Sequence, residues 1–291
     1  MNKLFKTAFT LIELLVVIAI IGILSGLIVV TMNGVTAKAN IAKSQVFSNS
    51  LRNALMLNLM SEWKFDGNTN DSWGSNNGTW SGPAGTNTAA TYSSDCIFNQ
   101  CLSFDGSDDC VTVTNNTSLD VTTSFTMEMW IKRIATSSGQ ATLLRRDILD
   151  EYAFGTGGSG TTTVRARFRD TTANYHLGTL VSVPTGQWNH IVGTYDGTYL
   201  KFYLNGVVAA NDNMGTYTVA AGTSDLIIGR DDAIAGRYFN GLIDGVRVYG
   251  AAVPLSLVKE NYYAGINSLF SKGSISQSEY LERINNIARN E

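Results

Sequence analysis

The chain has 291 residues, a formal net charge of −3 and 15% charged residues, with 28 glycines, three prolines, three cysteines and two histidines. That length supports one sizeable core with appendages, and the slight acidity leaves no basic footprint, so no nucleic-acid partner is expected. Cys96, Cys101 and Cys110 lie close together while His176 and His190 lie far from them, which excludes a recognisable zinc spacing.

The first element is an apolar run over residues 9–30 with a single charge, Glu13, behind a leader that carries Lys3 and Lys6. At about 1.5 Å rise per residue it is long enough to cross a bilayer as a helix, with the basic leader on the cytoplasmic side. An acid within such a run costs about 2.5 to 3.5 kcal/mol on insertion scales and calls for a partner. Cutting between Ala8 and Phe9 would create an α-amine of pKa near ~8 one helical turn from Glu13, able to neutralise it within the chain or in a neighbour.

These residues, FTLIELLVVIAIIGIL, resemble the class III signal of type IV prepilins and type II secretion pseudopilins. The resemblance implies that a prepilin peptidase cuts at Ala8 and Phe9 and methylates the new amine. It implies that Glu13 aligns the chain with other pilin-like subunits. It also implies a single-pass precursor in the inner (cytoplasmic) membrane that passes into an extracellular or periplasmic filament. Ala8 stands where the family usually has glycine, and residues 25–30 lack the proline that bends many major pilin helices.

Beyond residue 30 the pattern turns amphipathic, with Val35, Ile41, Val46, Leu51, Leu55 and Leu59 on one stripe, predicting a helix that continues to about residue 60. EWKFDG then alternates as a first strand and turns at Asp66 and Gly67, and residues 68–95 read as polar loops. From residue 101 to 249 a succession of short strand candidates follows. FTMEMWIKR, TVRARFRD, NHIVGTYDG, YLKFYLNG and FNGLIDGVRVYG are among the clearest, with no helical period between them, so an all-β sandwich of roughly a dozen strands is predicted. After Pro254, Leu255, Val258, Tyr262, Ile266, Leu269 and Phe270 form one helical face that stops at Lys272 and Gly273. Ser276 and Glu279 then have capping-box spacing and open a second short helix. The fold class is mainly β, divided into a leader (1–8), a transmembrane and assembly helix (9–60), a sandwich (61–265) and a helical tail (266–291).

A second resemblance covers the sandwich. WKFDG, LSFDGSDDCVTV, SFTMEMWIK, GQWNHIVGTYDGTYLKFYLNG, LIIGR and FNGLIDGVRVYGAAV, in that order, are similar to laminin-G-like domains of the concanavalin A-like lectin and glucanase superfamily. The resemblance implies a jelly roll of two antiparallel sheets, often holding a structural Ca²⁺. That ion takes six to eight oxygens, and the candidate ligands are Asp66, Asn68 and Asp71 after the first strand and Asp244 near the last. Trp73, Trp80, Tyr217 and Tyr238 are candidate sugar-stacking residues. In an exported domain Cys96 and Cys101 form the natural disulfide and leave Cys110 over, with Cys101–Cys110 as the alternative.

Some relatives of this fold are glycosidases, which need paired carboxylates two or four residues apart on a strand. Glu128 stands alone in FTMEMW, Asp147, Asp150 and Glu151 carry no E-x-D-x-x-E pattern, and His190 reads as a structural strand residue, so no catalytic residue is assigned. The expectation is a non-enzymatic filament subunit whose sandwich binds glycans or surface proteins. The alternatives are a secretion-system pseudopilin with the sandwich as spacer or cap, and a surface-displayed glycoside-acting enzyme.

Overall fold

The computed structural model describes residues 11–12, 14–22, 58–81, 90–134, 141–158, 160–231 and 237–289. The chain forms two compact units, residues 1–56 and 57–291. In the first, residues 11–12 and 14–22 are helical (α1), as the apolar run predicts. Ala8, Phe9 and Glu13 and most of the expected long helix lie outside the described residues, among which no helix is long and apolar enough to cross a membrane.

The second unit is the sandwich. One sheet contains β1 (Leu59–Trp63), β3 (Tyr92–Ser93), β4 (Cys101–Asp105), β6 (Phe125–Arg133), β12 (Trp188–Tyr195), β13 (Tyr199–Leu204), β14 (Val207–Asn213) and β16 (Asn240–Tyr249). The other contains β2 (Gly78–Ser81), β5 (Cys110–Val113), β7 (Thr142–Arg146), β8 (Tyr152–Thr156), β9 (Thr163–Arg169), β10 (Tyr175–Leu177), β11 (Val181–Ser182) and β15 (Leu226–Ile228). All ladders are antiparallel, and the two inner faces share one apolar core. This is the two-sheet jelly roll that the sequence predicts.

Side-chain alternation explains which residues reach the core. In β6, Phe125, Met127, Met129 and Ile131 point inward, and Thr126, Glu128, Trp130 and Lys132 point outward. The outward face of this strand is apolar in part because it too is covered. Helices α2 (Leu255–Ser271) and α3 (Gln277–Arg289) form a hairpin whose Tyr262, Ile266, Leu269 and Ile287 pack with Trp130, Trp188 and Leu242 in a second cluster. Tyr262 stacks on Trp130 at 5.6 Å between ring centroids, and Gly265 lets the helix approach so closely that a Cβ there would sit 2.1 Å from the indole. Ser276 caps α3 by accepting the Glu279 amide at 3.2 Å.

Strand β16 carries a bulge between Asp244 and Arg247, with Gly245 in the left-handed region at φ 56°. Asp244 pairs with Trp130 and Arg247 with Glu128, so one extra residue on β16 turns both side chains to the same outer face. Simple alternation would have separated them.

Candidate functional site

The short loop between Cys96 and Cys101 is closed by the disulfide that the spacing suggested. Cys110 is buried and lies outside that bridge. Three groups fasten the loop. Asp66 accepts the Gln100 amide (3.0 Å) and the Asn99 side-chain amide (3.1 Å), Asp244 accepts the Phe98 amide (3.0 Å), and the Lys272 ammonium lies on the carbonyls of Cys96, Ile97 and Phe98. The second oxygen of Asp244 is buried without a hydrogen-bond partner. Burial, with the charge of Asp66 adding to it, pushes this carboxyl up to about 7.

The structure therefore brings Asp66 and Asp244 to one loop but does not assemble the four expected calcium ligands. Asp71 is committed to its own turn, where its two oxygens accept the amides of Glu62, Trp73, Gly74 and Asn76. Asn68 accepts the Asn70 amide in a local turn. The loop carbonyls that a cation would take are met by Lys272 instead. A different acidic group forms at the β4–β5 turn, where Asp105, Asp108 and Asp109 offer carboxylate oxygens within 4.8 Å of one another. Burial, with the neighbouring charges of Asp105 and Asp108, raises the Asp109 carboxyl even though it accepts the Asp105 amide. The run DGSDD was visible in the sequence, but its turn geometry was not.

The four candidate aromatic residues do not form one platform. Trp73 is half exposed in the turn after Asp71. Trp80 is partly buried on β2, with its ring packed against the core 5.5 Å from that of Phe104. Tyr217 lies against His176 with the rings tilted at 38° and 4.1 Å between centroids, and Tyr238 sits half-buried at an isolated bridge to Arg230.

The carboxylates considered for catalysis are all engaged. Glu128 is buried beneath α2, where its oxygens meet His190 (2.9 Å), Arg247 (3.1 Å) and Asn261 (3.0 Å). Burial alone would raise this carboxyl; Arg247 and His190 outweigh it and hold it below its ordinary value. Asp147 accepts the amides of Leu149, Thr223 and Ser224, and Asp150 pairs with Arg145 and Arg167. Glu151 is fully buried beside Arg146, where burial pushes it up to about 8.

The outer face of the second sheet is different in kind. Among the described residues no helix covers it, and β9 projects Thr163, Arg165, Arg167 and Arg169 onto it while Val164, Ala166 and Phe168 enter the core. On the neighbouring β10, Tyr175 pairs with Arg169 and Leu177 with Arg167, both about half exposed. On the other side β8 contributes only Ala153 and Gly155, both buried under neighbouring side chains, and Arg145 of β7 follows. The Arg167 guanidinium lies across Gly155, where a Cβ would come within 2.5 Å of its Nη1. Arg145, Asp147, Ile148, Thr223, Asp225 and Ile227 are among the residues lining a cavity of about 270 Å³ beside Arg145. The signal in the sequence was the alternate arginines of TVRARFRD, which a search for carboxylates and aromatics passed over.

The second unit is thus a two-layer antiparallel sandwich, lectin-like in architecture, with one face under a helical hairpin and, among the described residues, no helix on the other. Residues 105–258 match the family model described as the concanavalin A-like lectin/glucanases superfamily, and the chain belongs to it. Residues 6–29 match the prokaryotic N-terminal methylation motif, so the chain joins a pilin-type signal to that module. No curated protein matches the chain in sequence.

Among solved structures, the chain is similar to domain 4 of AbnA, a GH43 extracellular arabinanase from Geobacillus stearothermophilus, determined in complex with arabinotriose. The TM-score is 0.56 at 20% identity, covering 69% of this chain and 97% of that one. It is also similar to the binding domain of Paraclostridial Mosquitocidal Protein 1 (TM-score 0.57, 15% identity, 73% and 53% covered). A third likeness is to the botulinum neurotoxin serotype G binding domain (TM-score 0.57, 12% identity, 72% and 51% covered). The chain thus spans about half the length of those toxin binding domains, and at these identities the likeness is one of fold.

Proposed function

We propose that this chain is a type IV pilin-like filament subunit that displays a glycan-binding sandwich outside the cell and acts by binding, without catalysing a reaction. The observation that carries this reading is the fusion itself: an N-terminal methylation motif and a lectin-like domain in one chain. The module that crystallised with arabinotriose has the same fold over nearly its whole length, which supports a sugar as the kind of ligand. On this reading a prepilin peptidase processes the chain between Ala8 and Phe9, the inner-membrane precursor has its N-terminus in the cytoplasm, and helices of other pilin-like subunits pack beside residues 9–60. Sugars meet the sandwich at its open face and at the exposed Trp73 and Tyr217. The non-catalytic reading is supported by the engagement of Glu128, Asp147, Asp150 and Glu151 described above.

A glycan array probed with the full chain in neutral detergent tests the binding role, and immunoelectron microscopy of surface filaments tests the display. Binding together with label on filaments is expected. Label on filaments with no glycan or surface-protein binding would favour the pseudopilin reading, in which the sandwich is a spacer or cap. Release of reducing sugar from a bound glycan would overturn the non-catalytic reading.

Within this reading a Ca²⁺ ion is better accommodated by Asp105, Asp108 and Asp109 than by Asp66, Asn68, Asp71 and Asp244. The first set is three carboxylates with oxygens within 4.8 Å of one another, whose mutual repulsion a divalent cation would relieve, whereas the second is divided between the disulfide loop and two local turns. Calcium is expected to raise the unfolding midpoint of the wild type and leave Asp109→Asn unmoved. Equal midpoints with calcium and with chelator in the wild type would sink the proposal.

A further inference from the structure

The three arginines on β9 need a reason. Strand geometry places successive ones about 7 Å apart on the same face, close enough for each guanidinium to disfavour the next. Burial and the charge of Arg167 hold the Arg165 guanidinium below its ordinary value. Arg167 is fixed, with Nε 2.9 Å from Asp150 and its plane resting on Gly155. Arg145 is held by Asp150 and Asp231. Arg165 and Arg169 have no side-chain hydrogen bond or ion pair with any described residue. A half-buried row of like charges with too few counter-charges stabilises nothing within the domain, and it stands on a chain whose net charge is −3. Uncharged polar residues would serve the fold better at Arg165 and Arg169.

We infer that the open face of the second sheet binds an anionic glycan, with Arg165 and Arg169 taking its carboxylate or sulfate groups on either side of the fixed Arg167. This rests on the glycan-binding reading and names the ligand class for it. The chemistry is complementary on two counts. A guanidinium presents a planar fork that matches a carboxylate or sulfate with two parallel hydrogen bonds. Tyr175, half exposed and paired with Arg169, offers a ring against which the apolar face of a sugar can lie beside the charge it carries. A nucleic acid is a poorer occupant, because duplex binding needs a broad basic surface and this chain is acidic overall, with the arginines confined to one strand and its neighbour.

The test is titration of the full chain in neutral detergent with short oligogalacturonate, sulfated dextran oligomer, uncharged dextran oligomer of equal length, oligoglutamate and single-stranded DNA. The variants are Arg165→Gln/Arg169→Gln and Arg165→Lys/Arg169→Lys. At least one acidic oligosaccharide is expected to bind tenfold or more tightly than the uncharged one, with carboxylate and sulfate told apart by which of the two wins. The glutamine pair should lose about tenfold or more of that affinity, with an unfolding midpoint no lower than that of the wild type. The lysine pair, which keeps charge but not the fork, should fall between.

Equal affinity for charged and uncharged oligomers, unaffected by either variant, would overturn the arginine face and leave the glycan-binding reading standing. Absence of binding by every oligosaccharide would remove both. Oligoglutamate or DNA binding as tightly as the acidic sugars would overturn the commitment to a glycan. Should the glutamine pair unfold, the lysine pair decides, and wild-type affinity in it would overturn the bidentate role.

Discussion

At the scale of single residues, the domain places carboxylates in opposite electrostatic settings, and each setting has a pH consequence. Asp244 is pushed up from its ordinary 3.8 to about 7 by burial. Its folded value lies above its unfolded one, so its ionisation favours unfolding: the stability associated with it is full below about pH 4 and is lost as pH rises through 7. Asp244→Asn keeps an oxygen for the Phe98 amide and removes the charge. It should therefore gain stability relative to wild type between pH 4 and 7, read as a growing difference in urea midpoint; a constant difference across that range would refute the assignment. Glu128 works in the other sense, because Arg247 and His190 hold it ionised and its contribution is lost in acid. Glu128→Ala leaves the buried His190 and the Asn261 amide without their carboxylate and Arg247 with Glu62 alone, and should cost about 1 to 3 kcal/mol by chemical denaturation at neutral pH.

At the scale of elements, the α2–α3 hairpin is a structural cover and not an appendage. It lies on Trp130, and through Asn261 it reaches the Glu128, His190 and Arg247 cluster. The near contact of Gly265 with the indole makes that helix intolerant of any side chain there. Gly265→Ala improves intrinsic helix propensity yet must push α2 away, and a net loss of about 1 to 3 kcal/mol is expected. A gain in thermal midpoint would show that the helix shifts freely. The helical pattern of this tail was plain in its apolar spacing, and so was its capping serine. That it lies on the outer face of β6 was not, because nothing in FTMEMWIKR distinguishes a strand covered on one face from one covered on both until the partner helix is in place.

At the scale of the whole molecule, one chain joins an N-terminal methylation motif to a lectin-like sandwich, and on the proposed reading the two make separable demands. Glu13→Ala should leave membrane insertion intact, since it removes a charge from an apolar run, while abolishing filament incorporation. Fractionation and electron microscopy read the two effects separately, and normal filaments from the variant would refute the alignment role. Loss of filaments should leave sugar binding by the sandwich unchanged.

The sequence by itself determined the parts that depend on pattern: the apolar run with its one acid, the alternating strands, the helical tail and the short disulfide loop, because periodicity and spacing are properties of neighbours along the chain. The placement of functional groups was decided by contacts between distant segments. The bulge at Gly245 turned Asp244 and Arg247 to one face, Lys272 came from the far end of the chain to the carbonyls of the disulfide loop, and Trp80 packed against the core. Arg165 and Arg169 were written plainly in TVRARFRD, but only the assembled sheet showed that they flank Arg167 on a face that no described helix covers, with no ion pair to a described residue, since a strand's alternation says which residues share a face and not what covers it.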